Sequence, residues 1–142
     1  MMLRIPSLII LFQCLLASAS PIRPNSGNAA RILMHENKVR YLIARKSDSY
    51  YKISKEMGIT LAQLHHYNER KQNSDILSEG DIIYLDPRRN KAKLKKLIVL
   101  QRSMSARELA QQEALKLKPL MRRNHLSSAD EQLPCGSKLF LR

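Results

Sequence analysis

The sequence is poor in the residues that build cofactor pockets and cross-linked scaffolds. It has no tryptophan, two phenylalanines and two cysteines in 142 residues. With aromatic residues at 5% of the chain, any core must consist mainly of leucine, isoleucine and tyrosine. If Cys14 leaves with an amino-terminal signal, the mature chain keeps only Cys135, which excludes a disulfide framework and a cysteine metal quartet. His65 and His66 are adjacent and cannot share a helix face, so no metal site and no cofactor are expected.

Acidic residues are also scarce, and the excess of basic residues is uneven. The chain has 25 lysines and arginines against 12 acidic residues, a net charge of +13. The stretch "PRRNKAKLKK" (87–96) is basic at six positions and acidic at none, whereas residues 41–86 contain six basic and seven acidic residues. This distribution argues against a nucleic-acid binder, which needs a basic stripe on a defined fold, and favours loose attraction to an anionic polymer or surface. A solvated linker explains the run equally well.

The amino terminus has the pattern of a secretory signal. Arg4 precedes the apolar run "IPSLIILFQCLLASA", and small residues offer cleavage near Ala19 or Ser20. The run is short for a membrane span. We therefore expect a signal peptide over 1–20, a flexible lead-in over 21–38, a secreted, periplasmic or cell-envelope location, and no stable membrane span after cleavage. An uncleaved anchor and a lipid anchor at Cys14 are the alternatives.

Residues 41–86 align without a gap on residues 97–142, at an offset of 56. Eight of the 46 positions are identical, and apolar positions agree at further sites. Matching turn residues together with matching core positions indicate two copies of one unit. The identical pairs are Ser47/Ser103, Ser49/Ser105, Leu61/Leu117, Leu64/Leu120, Asn68/Asn124, Leu77/Leu133, Gly80/Gly136 and Leu85/Leu141.

Each copy reads as strand, helix, helix, strand. In copy one, Asp48 or Ser49 can cap the first helix, Gly58 can end it, and Thr60 with Gln63 forms a capping box for the second. Tyr50, Ile53 and Met57 share a helix face at spacings of three and four, so of the adjacent Tyr50 and Tyr51 one is expected in the core and the other exposed. The fold class predicted is α+β, as two tandem β-α-α-β units over 39–86 and 97–142, joined by a basic linker over 87–96. Each unit is expected to have a two-stranded antiparallel sheet with both helices on one face.

Copy one resembles the LysM domain. The resemblance rests on the segments "KSDSYYKISKEMGITLAQLHHYN" and "DILSEGDIIYL", which match the family in spacing and residue type over 39–86. The exception is Ser47, where the family usually has glycine. Copy two resembles a degenerate member, since Met104, Ala114 and Lys116 replace the aspartate, the helix-ending glycine and the second cap. The two-copy arrangement is also similar to the carboxy-terminal tail of bacterial cell-wall glucosaminidases.

The resemblance implies binding of N-acetylglucosamine-containing glycans, mainly peptidoglycan, in a groove between two loops. Corner N–H groups and hydroxyls can bond the acetamido group, and apolar side chains can cover its methyl. Simple capping by Asp48 and Ser49 is the structural alternative for the first loop. The positions that match are Ser47, Asp48, Ser49 and Tyr50 on one side and Ile76, Leu77, Ser78 and Glu79 on the other.

No enzyme is expected. A glycosidase needs two carboxylates across a cleft, and Asp48 with Glu79 does not suggest one. Ser49 lacks the partners of a catalytic triad. The predicted function is therefore that of an exported, non-catalytic glycan-binding module. The alternative is a scaffolding or interaction tail of a cell-wall hydrolase without glycan affinity of its own.

Overall fold

The computed structural model describes residues 31–69 and 75–142, so the predicted signal at 1–20 lies outside the described residues. The first unit contains β1 (Leu33–Met34), β2 (Arg40–Ile43), α1 (Tyr50–Met57), α2 (Leu61–Tyr67) and β3 (Ile82–Tyr84). The second contains β4 (Leu97–Val99), β5 (Met104–Ser105), α3 (Ala106–Gln112), α4 (Leu117–Arg123), β6 (Gln132–Leu133) and β7 (Lys138–Phe140). The predicted α+β class and the strand-helix-helix-strand order are confirmed in both units. Within the part of the chain that the structure describes, no helix could span a bilayer.

The helix boundaries follow the capping residues. Ser49 accepts a hydrogen bond from the Lys52 N–H and caps α1, and Gly58 ends that helix at a φ of 65°. A positive φ costs glycine little because it has no Cβ. Capping boxes start α2 at Thr60 and α3 at Ser105. These caps confirm the predicted helix starts.

α2 does not end with a left-handed conformation at Asn68 itself. Asn68 has a φ of −98°, and the next residue, Glu69, has a φ of 52°. The Asn68 amide instead donates to the carbonyls of Leu64 and Tyr84, and its Oδ1 accepts from the Tyr84 N–H. This side chain therefore ties the end of α2 to β3.

In the first unit both helices pack against the inner face of β2 and β3. Leu42 and Ile83 are antiparallel partners on β2 and β3, and both are buried with Ile53 of α1 and Leu64 of α2. Alternate residues of a strand point to opposite faces, so the neighbouring Ile43 lies outward.

The contacts of the first unit recur 56 residues later. The Leu42–Ile83 pair corresponds to Ile98–Leu139 on β4 and β7. Asn124 makes the same three hydrogen bonds as Asn68, to the carbonyls of Leu120 and Phe140 and from the Phe140 N–H. Ala114 takes the position of Gly58 with a φ of 53°.

The first unit has one strand more than predicted. β1 lies within the lead-in that was expected to be flexible, and it pairs with β2 through Leu33–Tyr41 and Met34–Arg40. The first sheet therefore has three strands, in the order β1-β2-β3. The second unit keeps the two-stranded β4–β7 sheet and adds the short β5–β6 pair.

The two units contact each other directly. The Tyr84 ring is buried with Val39 and Ala114, and its hydroxyl donates to the Gln111 carbonyl. The Gln111 side chain donates to the Ile82 carbonyl at 2.7 Å. The outer face of β3 is thus covered by the end of α3.

The basic stretch between the units is partly folded into this contact. Arg88 is only 5% exposed. Its Nε donates to the Tyr67 carbonyl, and its guanidinium forms an ion pair with Glu69. Arg89 donates to the carbonyls of Asn37 and Lys38. A solvated linker therefore does not describe its first residues.

Candidate functional site

Two loops of the first unit come together beside the start of α1. The first runs from Ala44 to Ser49, and the second runs from Asp75 to Asp81. Ser49 and Ile76 pair as an isolated antiparallel bridge. The Tyr51 N–H donates to the Asp75 carboxylate at 2.9 Å, which adds a second link between the segments.

The bases of the loops are fixed by backbone hydrogen bonds. The Ala44 N–H donates to the Asp81 carbonyl at 2.8 Å, and the Gly80 N–H donates to the Ala44 carbonyl at 2.9 Å. Within the second loop the Ser78 N–H donates to the Asp81 carboxylate at 3.0 Å. Ser47 has a φ of 73°, a left-handed conformation at the position where the family usually has glycine. Both loops are therefore held as defined turns.

Asp48 lies beneath the first loop, with a side chain that is 1% exposed. Its carboxylate accepts from the Arg45 N–H at 2.9 Å and forms ion pairs with Arg31 and Lys52. Burial by itself would raise the pKa of Asp48, but the hydrogen bonds from Arg45, Arg31 and Lys52 outweigh it and hold the pKa below its usual value. Asp48 therefore supports the loop from below.

Tyr50 also lies below the surface. It is 1% exposed, and its ring stacks on His65 with 4.5 Å between ring centroids. Leu77 is half-buried and packs against the same core cluster. Tyr50 is thus the core tyrosine of the adjacent pair, and Tyr51 is 56% exposed, as the helical spacing predicted.

The remaining predicted site residues form the exposed surface of the two loops. Ile76 is the most exposed of the large apolar side chains in the part of the chain that the structure describes, at 86%. Ser47, Ser78 and Glu79 are exposed around it, and Ser49 is half-buried. Such a surface combines an apolar contact with hydroxyl and amide hydrogen-bonding groups.

Tyr51 is a surface residue that sequence reasoning left out of the predicted site. Its backbone N–H donates to the Asp75 carboxylate of the second loop, and Lys55 Nζ lies 5.4 Å from its ring centroid. The helical spacing that places Tyr50 on one face with Ile53 and Met57 leaves Tyr51 on another face. That signal could have marked Tyr51 as a surface aromatic.

The corresponding corner of the second unit has the same pairing but a different surface. Ser105 pairs with Gln132, and Met104 pairs with Leu133. Met104 is buried where the first unit has Asp48, and the Ser103 hydroxyl donates to the Leu133 carbonyl at 3.1 Å. A polar glutamine thus replaces the exposed apolar side chain of Ile76.

A cleft of about 470 Å³ lies between the units, against β3 and α3. Several of its charged residues are engaged within the protein: Arg88 pairs with Glu69, and Arg107 pairs with Asp130. The Glu108 carboxylate completes the capping box of α3. The loop surface, rather than this cleft, is therefore the candidate glycan site.

The part of the chain that the structure describes contains one free cysteine and no metal-binding cluster. Within residues 31–69 and 75–142, no cluster of His, Cys, Asp and Glu side chains could hold a metal ion. Cys135 is an exposed free cysteine whose Sγ lies 3.3 Å from the Gln101 carbonyl oxygen.

Comparison with known proteins finds a match to one family and matches to solved structures, among them two spore cortex-lytic enzymes. Residues 43–86 match the family model described as LysM domain. The spore cortex-lytic enzyme SleL of Bacillus cereus is 19% identical, with a TM-score of 0.31, over 73% of this chain and 22% of that one. SleL of Bacillus megaterium is 15% identical, with a TM-score of 0.30, over 70% of this chain and 21% of that one. The chain thus spans about a fifth of the length of these enzymes. No curated protein matches the chain.

Proposed function

We propose that the LysM domain of residues 43–86 binds N-acetylglucosamine-containing glycans, mainly peptidoglycan, and that the chain is an exported, non-catalytic binding module. The observation that carries the proposal is the Ser49–Ile76 bridge, which joins the two loops that the family uses into one surface. Ile76 stands out from that surface with 86% of its area exposed, ready to be covered by a ligand.

The chemistry of the surface suits an N-acetylated sugar. The hydroxyls of Ser47, Ser49 and Ser78 can exchange hydrogen bonds with the acetamido group and ring hydroxyls. Ile76 can cover the acetamido methyl, as an apolar contact does in most small-ligand sites. Asp48 and Tyr50 act from below, by fixing the loop and its helix, and Leu77 and Glu79 flank the site.

The second unit is proposed to be a degenerate LysM-like domain with a mainly structural role. Its core and its register follow the first unit. Its corner lacks the exposed apolar side chain, because Gln132 takes the place of Ile76, and Met104 takes the place of Asp48. A single functional site leaves no gain from bivalency, so the affinity would be modest.

The proposed location is the periplasm, the cell envelope or the medium, and the proposed functional partner is a cell-wall hydrolase. The alternative function is a scaffolding module of such a hydrolase without glycan affinity of its own.

Sedimentation with purified peptidoglycan tests the proposal. The wild-type chain should pellet with peptidoglycan at low salt and at high salt, because neutral sugar contacts are weakly screened. Ile76→Ser combined with Ser78→Ala should reduce the pelleted fraction, whereas Gln132→Ser, at the equivalent position of the second unit, should leave it unchanged. No sedimentation of the wild-type chain at low salt contradicts the proposal. If the double variant pellets as much as the wild type at low salt, and both lose binding at high salt, the basic residues and not the loop surface bind the peptidoglycan.

A further inference from the structure

The face of the β4–β7 sheet that points away from the core is apolar and exposed. Leu97 on β4 and Phe140 on β7 are cross-strand partners, and both point away from the core, with 41% and 55% of their areas exposed. Val99, two residues after Leu97, lies on the same face. Leu94 is 72% exposed, in the segment 92–96 whose two ends are hydrogen-bonded to Leu141, directly after β7. We call these four residues, Leu94, Leu97, Val99 and Phe140, the outer apolar patch.

The equivalent face of the first unit is an interface. Tyr41 and Tyr84 correspond to Leu97 and Phe140 at the offset of 56, and Tyr84 is fully buried against Ala114 of the second unit. The fold therefore places a partner on this face in the first unit. In the second unit the described residues leave Leu97 and Phe140 exposed at these equivalent positions.

Basic residues surround the outer apolar patch. Lys138 lies opposite Val99 on the sheet, and the Arg142 guanidinium donates to the Lys93 carbonyl beside Leu94. Lys91, Lys93, Lys96, Lys138 and Arg142 are all exposed. Lys95, in the same segment, pairs with Glu36 and Glu113. The rim of the patch thus has a strong positive charge.

We propose that the outer apolar patch and its basic rim dock onto the surface of an anionic lipid bilayer. Lysine and arginine side chains are attracted to anionic headgroups, and exposed Leu, Val and Phe side chains can enter the boundary between headgroups and acyl chains. The charge of the rim is complementary to such a surface. The site lies on a different unit from the proposed glycan surface, so the two interactions are independent.

Two other occupants fit the patch less well. A second copy of the chain would bring two basic rims together, so that Lys96 and Lys138 of each copy would face like charges. A purely polar anionic polymer would satisfy the lysines but would leave Phe140 and Leu94 exposed. Only a partner that is both anionic and apolar uses the whole surface.

Co-sedimentation with lipid vesicles tests the proposal without glycan present. The chain starting at Pro21 is the suitable form, since the apolar segment of the predicted signal at 1–20 would bind lipid by itself. All members of the described core clusters lie between Ile32 and Leu141, so this form keeps both units intact. Vesicles of phosphatidylglycerol mixed with phosphatidylcholine are compared with vesicles of phosphatidylcholine alone.

Two variants test the apolar residues, and one tests the rim. Phe140→Ser and Leu94→Ser should each weaken partitioning into anionic vesicles roughly fivefold to tenfold, because an inserted side chain loses its transfer free energy. Lys96→Gln combined with Lys138→Gln should weaken it by roughly tenfold, because each basic residue contributes near an anionic surface. Met34→Ser and Lys118→Gln are the matched controls on other surfaces and should have no effect. Circular dichroism and thermal unfolding verify that each variant is folded.

Binding to anionic but not neutral vesicles, weakened by all three patch variants and by neither control, supports the proposal. Absence of binding to anionic vesicles overturns it. Binding that Leu94→Ser and Phe140→Ser leave unchanged also overturns it, because the attraction is then a general effect of net charge. Dimerisation in light scattering that Phe140→Ser abolishes, without vesicle binding, assigns the patch to a second copy of the chain.

Discussion

Ser49 and Ile76 are paired as an antiparallel bridge, although one precedes the first helix and the other follows the second. The bridge places the cap of α1 beside an apolar side chain that is almost fully exposed. Ser49 is half-buried and caps α1, whereas Ile76 is exposed and packs into none of the described core clusters, so a mutation of Ile76 tests binding with little effect on the fold.

Replacing Ile76 should affect binding and not folding. Because its side chain is 86% exposed, Ile76→Ser removes little buried area and should change the free energy of unfolding by less than about 0.5 kcal/mol. If a sugar covers the side chain, its loss should weaken affinity for chitin oligosaccharides by roughly tenfold, equivalent to about 1.4 kcal/mol. Calorimetric titration measures the affinity, with Met34→Ser as the control for an exposed apolar residue elsewhere. An unchanged affinity would exclude Ile76 from the site.

Asp48 should stabilise the fold in a pH-dependent way. Its pKa is lowered in the folded state, so the ionised carboxylate stabilises the protein above the unfolded pKa of about 3.9, and this stability is lost as the pH falls through the lower folded pKa. Asp48→Asn should cost roughly 2 kcal/mol at neutral pH, because it weakens charged hydrogen bonds from Arg31 and Arg45. Urea unfolding at neutral and acidic pH should show the gap between wild type and variant closing as the pH falls. Asp86→Asn, at a more exposed pair with Arg40, should have a smaller effect. If the difference in unfolding free energy between wild type and Asp48→Asn stays constant with pH, the stabilising role of the ionised carboxylate is contradicted.

The asparagines at equivalent positions of the two units should contribute differently to the free energy of unfolding. Asn68 and Asn124 make the same three hydrogen bonds, but Asn68 is 7% exposed and Asn124 is only partly buried. Asn68→Ala should therefore destabilise by roughly 3 kcal/mol and Asn124→Ala by less, because unsatisfied groups cost more when they are buried. Urea unfolding of both variants measures the difference, and a reversed order would show that the burial argument fails.

The contact between the units should weaken at alkaline pH. Burial raises the pKa of Tyr84 to about 12, so the folded state favours the neutral hydroxyl. This contribution is complete below the unfolded pKa of about 10 and is lost as the pH rises towards the folded value. Tyr84→Phe should cost about 1 kcal/mol at neutral pH through the lost hydrogen bond to Gln111, and the gap to wild type should narrow above pH 10. Tyr51→Phe, at an exposed ring, is the control. A gap that widens above that pH would contradict the assignment.

The sequence predicted local features well because they depend on residues close along the chain. The caps at Ser49, Thr60 and Ser105 and the left-handed Gly58 are set by a few neighbouring groups. The core positions followed from helical spacing and strand alternation. That the loops containing Ser49 and Ile76 lie together was expected only through the resemblance to the LysM family, and the pairing of these two residues was not predicted.

Features that depend on contacts between distant segments were not predictable from these patterns. β1 occupies a lead-in without a clear strand pattern, and Arg31 reaches Asp48 and Glu56 from there. Arg88 belongs to a run of charge that is typical of a solvated linker, yet Glu69 and the Tyr67 carbonyl give it a buried position. Tyr50 belonged to the predicted site by family position, but its helical face placed it in the core.

The most direct measurement of the central proposal is a chemical-shift titration of the chain with a soluble N-acetylglucosamine oligomer. The account predicts that the amides of Ser47, Ser49, Ile76 and Ser78 shift in a saturable way, while those of Ser103, Ser105 and Gln132 stay in place. Titration without any saturable shift, or with shifts confined to the second unit, would contradict it.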